Sequence, residues 1–177
     1  MTDSDKLTVL YSRDEIASKI KLLARKISRD YKDKNPLLIS ILKGSFMFTA
    51  DLVRELDFPL EVEFVRLSSY GKGTKSCGEI EVIQGVIFEV ENRDVLIVED
   101  IVDSGLTVEF LKDKLKEKKA ASVKVCALSS KPSQHTLPVD IDYLGFNIPD
   151  KFVVGYGLDY NQQFRNLPDI CIMEENK

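Results

Sequence analysis

The chain has 177 residues, 44% apolar and 31% charged, with a formal net charge of -4. That is enough for one domain with a substantial core, and the acidic balance argues against sequence-independent nucleic-acid binding, which draws on clustered Lys and Arg. Three scattered cysteines (Cys77, Cys126, Cys171) make a disulfide framework or zinc site unexpected, and the polar start with no long apolar run points to a cytoplasmic protein without a membrane partner.

Taken in chain order, Ser12-Arg13-Asp14-Glu15 has the form of a capping box, and Ile16, Ile20, Leu23 and Ile27 follow at helical spacing, so an amphipathic helix is expected over 13–33. Asn35-Pro36 closes it. Leu37 to Leu42 reads as a short buried strand, Lys43-Gly44-Ser45 as a loop, and 46–56 as a second helix. Leu60 to Leu67 reads as a strand. Residues 68–79 then carry three glycines, several hydroxyls and almost no aliphatic anchor, the composition of a loop or lid. Residues 80–90 return as strand.

Residues 95–107 hold most of the functional information. Val95-Leu96-Ile97-Val98 is a continuous aliphatic run, as in a buried parallel strand. Glu99-Asp100 interrupts it, Asp103 follows, and Ser104-Gly105-Leu106-Thr107 turns into a helix expected over 107–119. In open α/β sheets ligands sit outside the carboxyl ends of strands, and a helix-entry turn cradles phosphate with its N–H groups. Ser104 and Thr107 add hydroxyls. The GxxxxGK[ST] pattern of a triphosphate loop is missing, so one monophosphate fits better. Glu99 and Asp100 can accept from ribose hydroxyls or hold a metal ion, and Asp103 can act as a base or stabilise positive charge. The lysine-rich outer face of the 107–119 helix, interleaved with Asp113 and Glu117, reads as solvated surface.

Further strands are expected at Val123 to Leu128, Tyr143 to Phe146, Phe152 to Gly155 and Asp169 to Met173. The one histidine, His135, lies in a Lys-Pro-Ser-Gln-His-Thr-Leu-Pro stretch and reads as a solvated loop residue, so acid–base chemistry falls to a carboxylate. Strand and helix alternate, which implies a single α/β domain: a mainly parallel central sheet flanked by helices.

The 95–107 segment resembles the phosphoribosyl-diphosphate motif of type I phosphoribosyltransferases: four apolar residues, Glu-Asp, two aliphatics, then Asp-Ser-Gly-x-Thr. Other segments are similar to the 6-oxopurine branch of that family. Leu42-Lys43-Gly44 matches its diphosphate loop, where a non-proline cis peptide is common. Ser69-Tyr70 matches the start of its lid, and Lys131 the lysine that contacts the purine oxygen. The run Ile148 to Tyr160 resembles its purine hood, with Phe152 stacking on the base, Val153 beside it and Asp159 near a metal; Arg165 matches a diphosphate-contacting arginine. The resemblance implies a small hood built mainly from 143–177 and the chain termini. It implies Mg²⁺-dependent transfer of a 5-phosphoribosyl group from phosphoribosyl diphosphate to hypoxanthine, and to guanine. Lys43, Gly44, Ser69, Tyr70, Glu99, Asp100, Asp103, Ser104, Gly105, Leu106, Thr107, Lys131, Phe152, Val153, Asp159 and Arg165 would bind substrates. Asp103 would be catalytic, and Glu99, Asp100 and Asp159 would be metal ligands. A homodimer or homotetramer is also implied. A xanthine- or guanine-preferring relative differs chiefly in backbone contacts near Val153 and Asp159 that sequence does not resolve. A regulatory protein on this fold would lack the lid or hood, and a receiver-type domain leaves the Ser-Gly turn unexplained.

Overall fold

The computed structural model describes residues 7–70, 79–84 and 89–174, with only the backbone described for 68–70 and 79–84. The lid expected over 68–79 thus lies mostly outside the described residues. Strand β1 (Leu7–Tyr11) leads to helix α1 (Arg13–Tyr31), strand β2 (Leu37–Leu42), helix α2 (Phe46–Arg54) and strand β3 (Glu61–Tyr70). Then come β4 (Glu79–Gln84), β5 (Asp94–Val102), α3 (Leu106–Glu117), β6 (Ser122–Ser130), a short 3₁₀ turn (Pro132–Gln134), β7 (Tyr143–Asn147), β8 (Val153–Val154) and β9 (Ile170–Met173).

Helix α1 starts where the capping box requires: Ser12 Oγ accepts from Glu15 N while the Glu15 carboxylate takes the Ser12 N–H. Its inward stripe, Ile16, Ile20, Leu23 and Ile27, is buried. Each of the three α-helices ends two residues short of the sequence expectation, since the pattern alone does not register where the last carbonyls lose their partners.

Six strands form the main sheet in the order β4-β3-β2-β5-β6-β7, parallel except for β4, which runs antiparallel to β3. Its central strands are almost wholly buried, as their unbroken aliphatic runs demand. α1 and α2 cover one face, with Ile20, Leu23, Phe48 and Leu52 against Leu38, Leu96 and Val98. α3 covers the other, with Val108, Leu111 and Leu115 against Ile39, Ile97 and Val125. Two differences from the sequence reading concern the site. Strand β5 runs on to Val102, because Ile101 and Val102 keep pairing with Ser129 and Ser130 of β6. Glu99 and Asp100 therefore lie inside the strand, not at the carboxyl end of one over 95–99. Ser69 and Tyr70 are in strand β3, paired with Ile80 and Glu79, so the start of the expected lid is strand; its remainder, 71–78, lies outside the described residues.

A second sheet, β1-β9-β8, is antiparallel and sits over the carboxyl edge of the first. Strand β1 was not legible as a strand. Its exposed Thr8 and Val9, between partly buried residues, carry no clean alternation, and the strand exists by pairing with residues about 165 positions further along the chain. The Arg13 N–H donates to Asp169 Oδ1 at 2.7 Å, tying the start of α1 to this hood. Among the described residues no helix is long and apolar enough to cross a membrane.

Candidate active site

A cleft of about 380 Å³ opens at the carboxyl ends of β2, β5 and β6, roofed by the hood. It brings together Lys43, Gly44, Asp100, Asp103, Lys131, Phe152, Val153, Asp159 and Arg165, nine of the expected site residues. Arg66, Ile101 and Gln162 also line it and were not singled out from sequence.

The loop after β2 is fixed from below. Ser40 Oγ lies 2.7 Å from both Ser45 Oγ and Thr49 Oγ1, and Ser45 Oγ donates to the Ile41 carbonyl at 2.5 Å. All three hydroxyl side chains are buried, so they satisfy one another inside an apolar layer. Above them the Leu42–Lys43 peptide is cis, as the family resemblance suggested for this loop. Gly44 presses on Asp100: a Cβ there would stand 1.7 Å from Asp100 Oδ2. Gly157, at φ +100, presses on the Gly44 carbonyl from the hood side, where a Cβ would come within 2.1 Å. Two glycines thus let the loop, strand β5 and the hood close on one point.

Adjacent strand residues point to opposite faces, which separates the two neighbouring acids. Asp100 faces the cleft; Glu99 does not line it and is buried. Burial pushes the Glu99 carboxyl well above its usual range, with the nearby Asp100 charge adding to the shift. Among the described residues its Oε2 has no hydrogen-bond partner. Burial likewise raises Asp100 to about 6; its own N–H, that of Ile101 and the Arg165 guanidinium oppose the shift, and Asp159 adds to it. Two buried carboxylates held above their normal pKa favour a cation beside them. An orphaned carboxylate oxygen is also the hard donor that a divalent metal takes. Asp100, in the cleft wall, fits that group, whereas Glu99 lies off the wall on the other face of β5. Among the described residues no cluster of three or more acidic, His or Cys ligands is present.

On the hood side Asp159 is engaged with protein donors: Arg165 Nη2 lies 2.5 Å from Oδ1 and Gln162 N 2.8 Å from Oδ2. Gln162 Oε1 accepts from Lys43 Nζ at 3.0 Å and from Arg165 Nη2 at 3.4 Å, so one neutral oxygen gathers both expected diphosphate cations. Its position, 119 residues from Lys43, left no signal in the sequence. Arg165 Nη1 further donates to the Gly157 carbonyl at 2.7 Å.

At the other end, Lys131 is buried and its Nζ lies 3.8 Å from Asp103 Oδ2. Phe152 is 43% exposed, its ring edge-on to Tyr160 with centroids 5.6 Å apart. Asp103-Ser104-Gly105-Leu106-Thr107 forms the turn into α3, with Gly105 at φ +85, a left-handed conformation suited to glycine. The first N–H groups of a helix have no intrahelical acceptor, so the turn is an anion cradle. His135 is not simply solvated: its Nε2 lies 3.0 Å from the buried Ser130 Oγ.

A phosphate cradle, a buried carboxylate pair and an aromatic shelf at the carboxyl edge of a parallel sheet define a nucleotide-forming class of enzyme. The phosphoribosyl transferase domain matches residues 8–161. The chain belongs to the phosphoribosyltransferase family. It is 41% identical over 175 residues to a hypoxanthine-guanine phosphoribosyltransferase of Streptococcus pyogenes, covering 99% of this chain and 97% of that one. It is also similar to the crystal structure of a hypoxanthine phosphoribosyltransferase from Staphylococcus aureus (TM-score 0.92, 38% identity, 98% and 97% of the two chains). A hypoxanthine-guanine phosphoribosyltransferase from Bacillus anthracis, solved with HEPES in the active site, gives a TM-score of 0.91 at 38% identity over 97% of this chain and 100% of that one.

Proposed function

We propose that the protein is a purine-salvage enzyme that transfers the 5-phosphoribosyl group of phosphoribosyl diphosphate to N9 of hypoxanthine, and of guanine, giving the nucleoside monophosphate and diphosphate. The observation that carries the choice of base is the pair Lys131 and Asp103, with Nζ 3.8 Å from Oδ2 at the wall of the cleft. In a 6-oxopurine the O6 acceptor and the N7 position sit side by side on one edge of the ring. Lys131 can only donate, so it meets O6; Asp103 accepts the N7 proton. A 6-amino group would set donor against donor. Unpaired polar groups of that kind discriminate far more strongly than a lost methylene. Phe152 stacks on the base, with Val153 beside it, which contributes on the order of 1 kcal/mol beyond area burial.

The turn Asp103–Thr107 holds the 5-phosphate. Lys43, Gly44 and Arg165 hold the diphosphate, and Asp100 faces the ribose hydroxyls, with Glu99 behind it and off the cleft wall. Asp100 and Asp159 are the cleft carboxylates that would hold Mg²⁺, Asp159 through water because Arg165 and Gln162 already occupy its oxygens; Glu99, expected as a third ligand, does not line the cleft. When bound, Mg²⁺ neutralises the departing diphosphate. As that group leaves, positive charge develops on the ribose ring, and the Asp100 carboxylate in the cleft wall stabilises it. Residues 68–79, with Ser69 and Tyr70 at their start, close over the site and exclude water from the intermediate. The enzyme works in the cytoplasm as a homodimer or homotetramer with Lys43-Gly44 near the interface; the exposed Phe46 three residues on supplies apolar surface there.

The deciding experiment is a steady-state assay with phosphoribosyl diphosphate, Mg²⁺ and a panel of adenine, hypoxanthine, guanine and xanthine. Turnover of hypoxanthine and guanine with adenine inert is expected. No turnover of any 6-oxopurine would sink the reading, and adenine as best substrate would remove Lys131 from its role.

A further inference from the structure

The segment from Lys131 to Thr136 touches both halves of the cleft. At its start the Lys131 N–H donates to the Val102 carbonyl at the end of β5, at 2.9 Å. The Ser130 carbonyl just before it accepts from Ile148 N at 2.9 Å, and the Ser130 hydroxyl meets His135 Nε2 at 3.0 Å. Pro132 opens a single 3₁₀ turn closed by Gln134 N to the Lys131 carbonyl at 2.9 Å. The segment is therefore short, proline-stiffened and anchored at its base.

Its far side makes two attachments. Thr136 donates twice to the Ser104 carbonyl, from its N–H at 3.1 Å and from Oγ1 at 3.2 Å, across 32 residues of sequence. Ser104 belongs to the turn that faces phosphate. A carbonyl oxygen turned toward an anion repels it, and two donors from Thr136 hold this one toward the 131–136 segment. The second attachment is Gln134 Nε2 to Asp150 Oδ2 at 2.5 Å. Asp150 lies in the tight turn closed by Lys151 N to the Pro149 carbonyl at 2.8 Å, two residues before Phe152. On its other side Phe152 is held through its carbonyl, which accepts from Met173 N at 2.9 Å.

We propose that Lys131–Thr136 is a strut that sets the base pocket against the phosphate turn, with Thr136 the positioning residue for the turn and Gln134 the positioning residue for the Phe152 hood. This rests on the phosphoribosyl transfer proposed above. Neither residue touches substrate. Thr136 keeps the Ser104 carbonyl out of the anion's way. Gln134 fixes the gap between Phe152 and Lys131, which sit on separate segments and must grip one flat base.

The test is a split between the two substrates. Thr136→Val keeps shape and the backbone N–H but deletes one donor; it should raise KM for phosphoribosyl diphosphate about fivefold, the effect of one neutral hydrogen bond, with KM for hypoxanthine and the melting temperature unchanged. Thr136→Ser restores the hydroxyl and should restore that KM. Gln134→Ala should raise KM for hypoxanthine by a similar factor and leave KM for phosphoribosyl diphosphate alone. Asp150→Ala should match it, and the double variant should be no worse than either single one. A wild-type enzyme active on hypoxanthine, with each variant moving its KM by less than twofold, overturns the strut and leaves the transferase reading intact. Both KM values rising together with a lowered melting temperature also overturns it, because that is what plain destabilisation does. An inactive wild type overturns the transferase reading instead.

Discussion

Asp103 and Asp100 are three residues apart, yet different forces act on them. Asp103 is half-exposed, and the buried Lys131 ammonium lies beside it. Asp103→Asn keeps size and loses the acceptor for the N7 proton, so kcat for hypoxanthine should fall by about 10²-fold or more while phosphoribosyl diphosphate still binds. Single-turnover rates beside equilibrium binding would check this, and equal activity would take Asp103 out of the chemistry. Asp100 is buried, and burial raises it to about 6 from an ordinary value of 3.8. A raised carboxyl holds its proton longer in the folded state than in the unfolded chain. Stability is therefore lost as pH rises from about 4 to about 6, and the full penalty, on the order of 3 kcal/mol, is present above that window. Asp100→Asn should stabilise the metal-free protein at pH 7 and flatten that part of its pH–stability curve while impairing turnover. Thermal melts across pH 4 to 8 read this directly, and an Asn variant no more stable at pH 7 would contradict it.

At the scale of elements, the contact of the β2–α2 loop with β5 leaves no room for one methyl group. Gly44→Ala sets a Cβ 1.7 Å from Asp100 Oδ2, and Gly157→Ala adds a left-handed φ to a 2.1 Å clash with backbone. A carboxylate can swing aside more easily than a carbonyl fixed in the loop. Gly157→Ala should therefore lower the melting temperature more than Gly44→Ala, although both should lose diphosphate affinity. Capping is separable from all of this. Ser12→Ala removes one half of the box at the start of α1 and should destabilise the fold by about 1 kcal/mol without changing KM for either substrate, which denaturant unfolding and kinetics would test. The elements themselves were largely legible. The capping box, the aliphatic runs of β2 and β5, and the Ser-Gly turn are local signals, and each lies within a residue or two of its expected place. What sequence withheld are partners far apart in the chain: the Gln162 oxygen that gathers Lys43 and Arg165, Thr136 on the Ser104 carbonyl, and β1 on β9. No local periodicity encodes such pairs. The acids of β5 are expected at the carboxyl end of a strand over 95–99, because a charged pair in an aliphatic run reads as its end. Here the ladder to β6 continues underneath them.

For the molecule as a whole, two bodies of unequal strength meet at the cleft. The main sheet is buried on both faces by large apolar clusters, whereas the hood's own cluster comprises Val154, Cys171 and Met173 with Leu7 and Phe164 against them. Local opening follows buried apolar contact. Amide hydrogen exchange should therefore run faster in β8 and β9 than in β2 and β5, and a bound nucleoside monophosphate should slow the hood most. Uniform exchange across both sheets would show instead that the hood and the main sheet open as one unit.

The middle strand of the hood sheet is β9, which follows every other described element in the chain. Strand β8, which carries Val153 directly after Phe152, pairs with β9, and so does β1 from the opposite end of the chain. On the ribosome, the parallel sheet and the phosphate turn can therefore form while the purine roof has no strand to pair with. A nascent chain halted before Ile170 would present a sugar-phosphate cradle without a base pocket. The acceptor half of the site is completed only when synthesis has passed β9, so the donor half of the site is in place before purine has anywhere to bind.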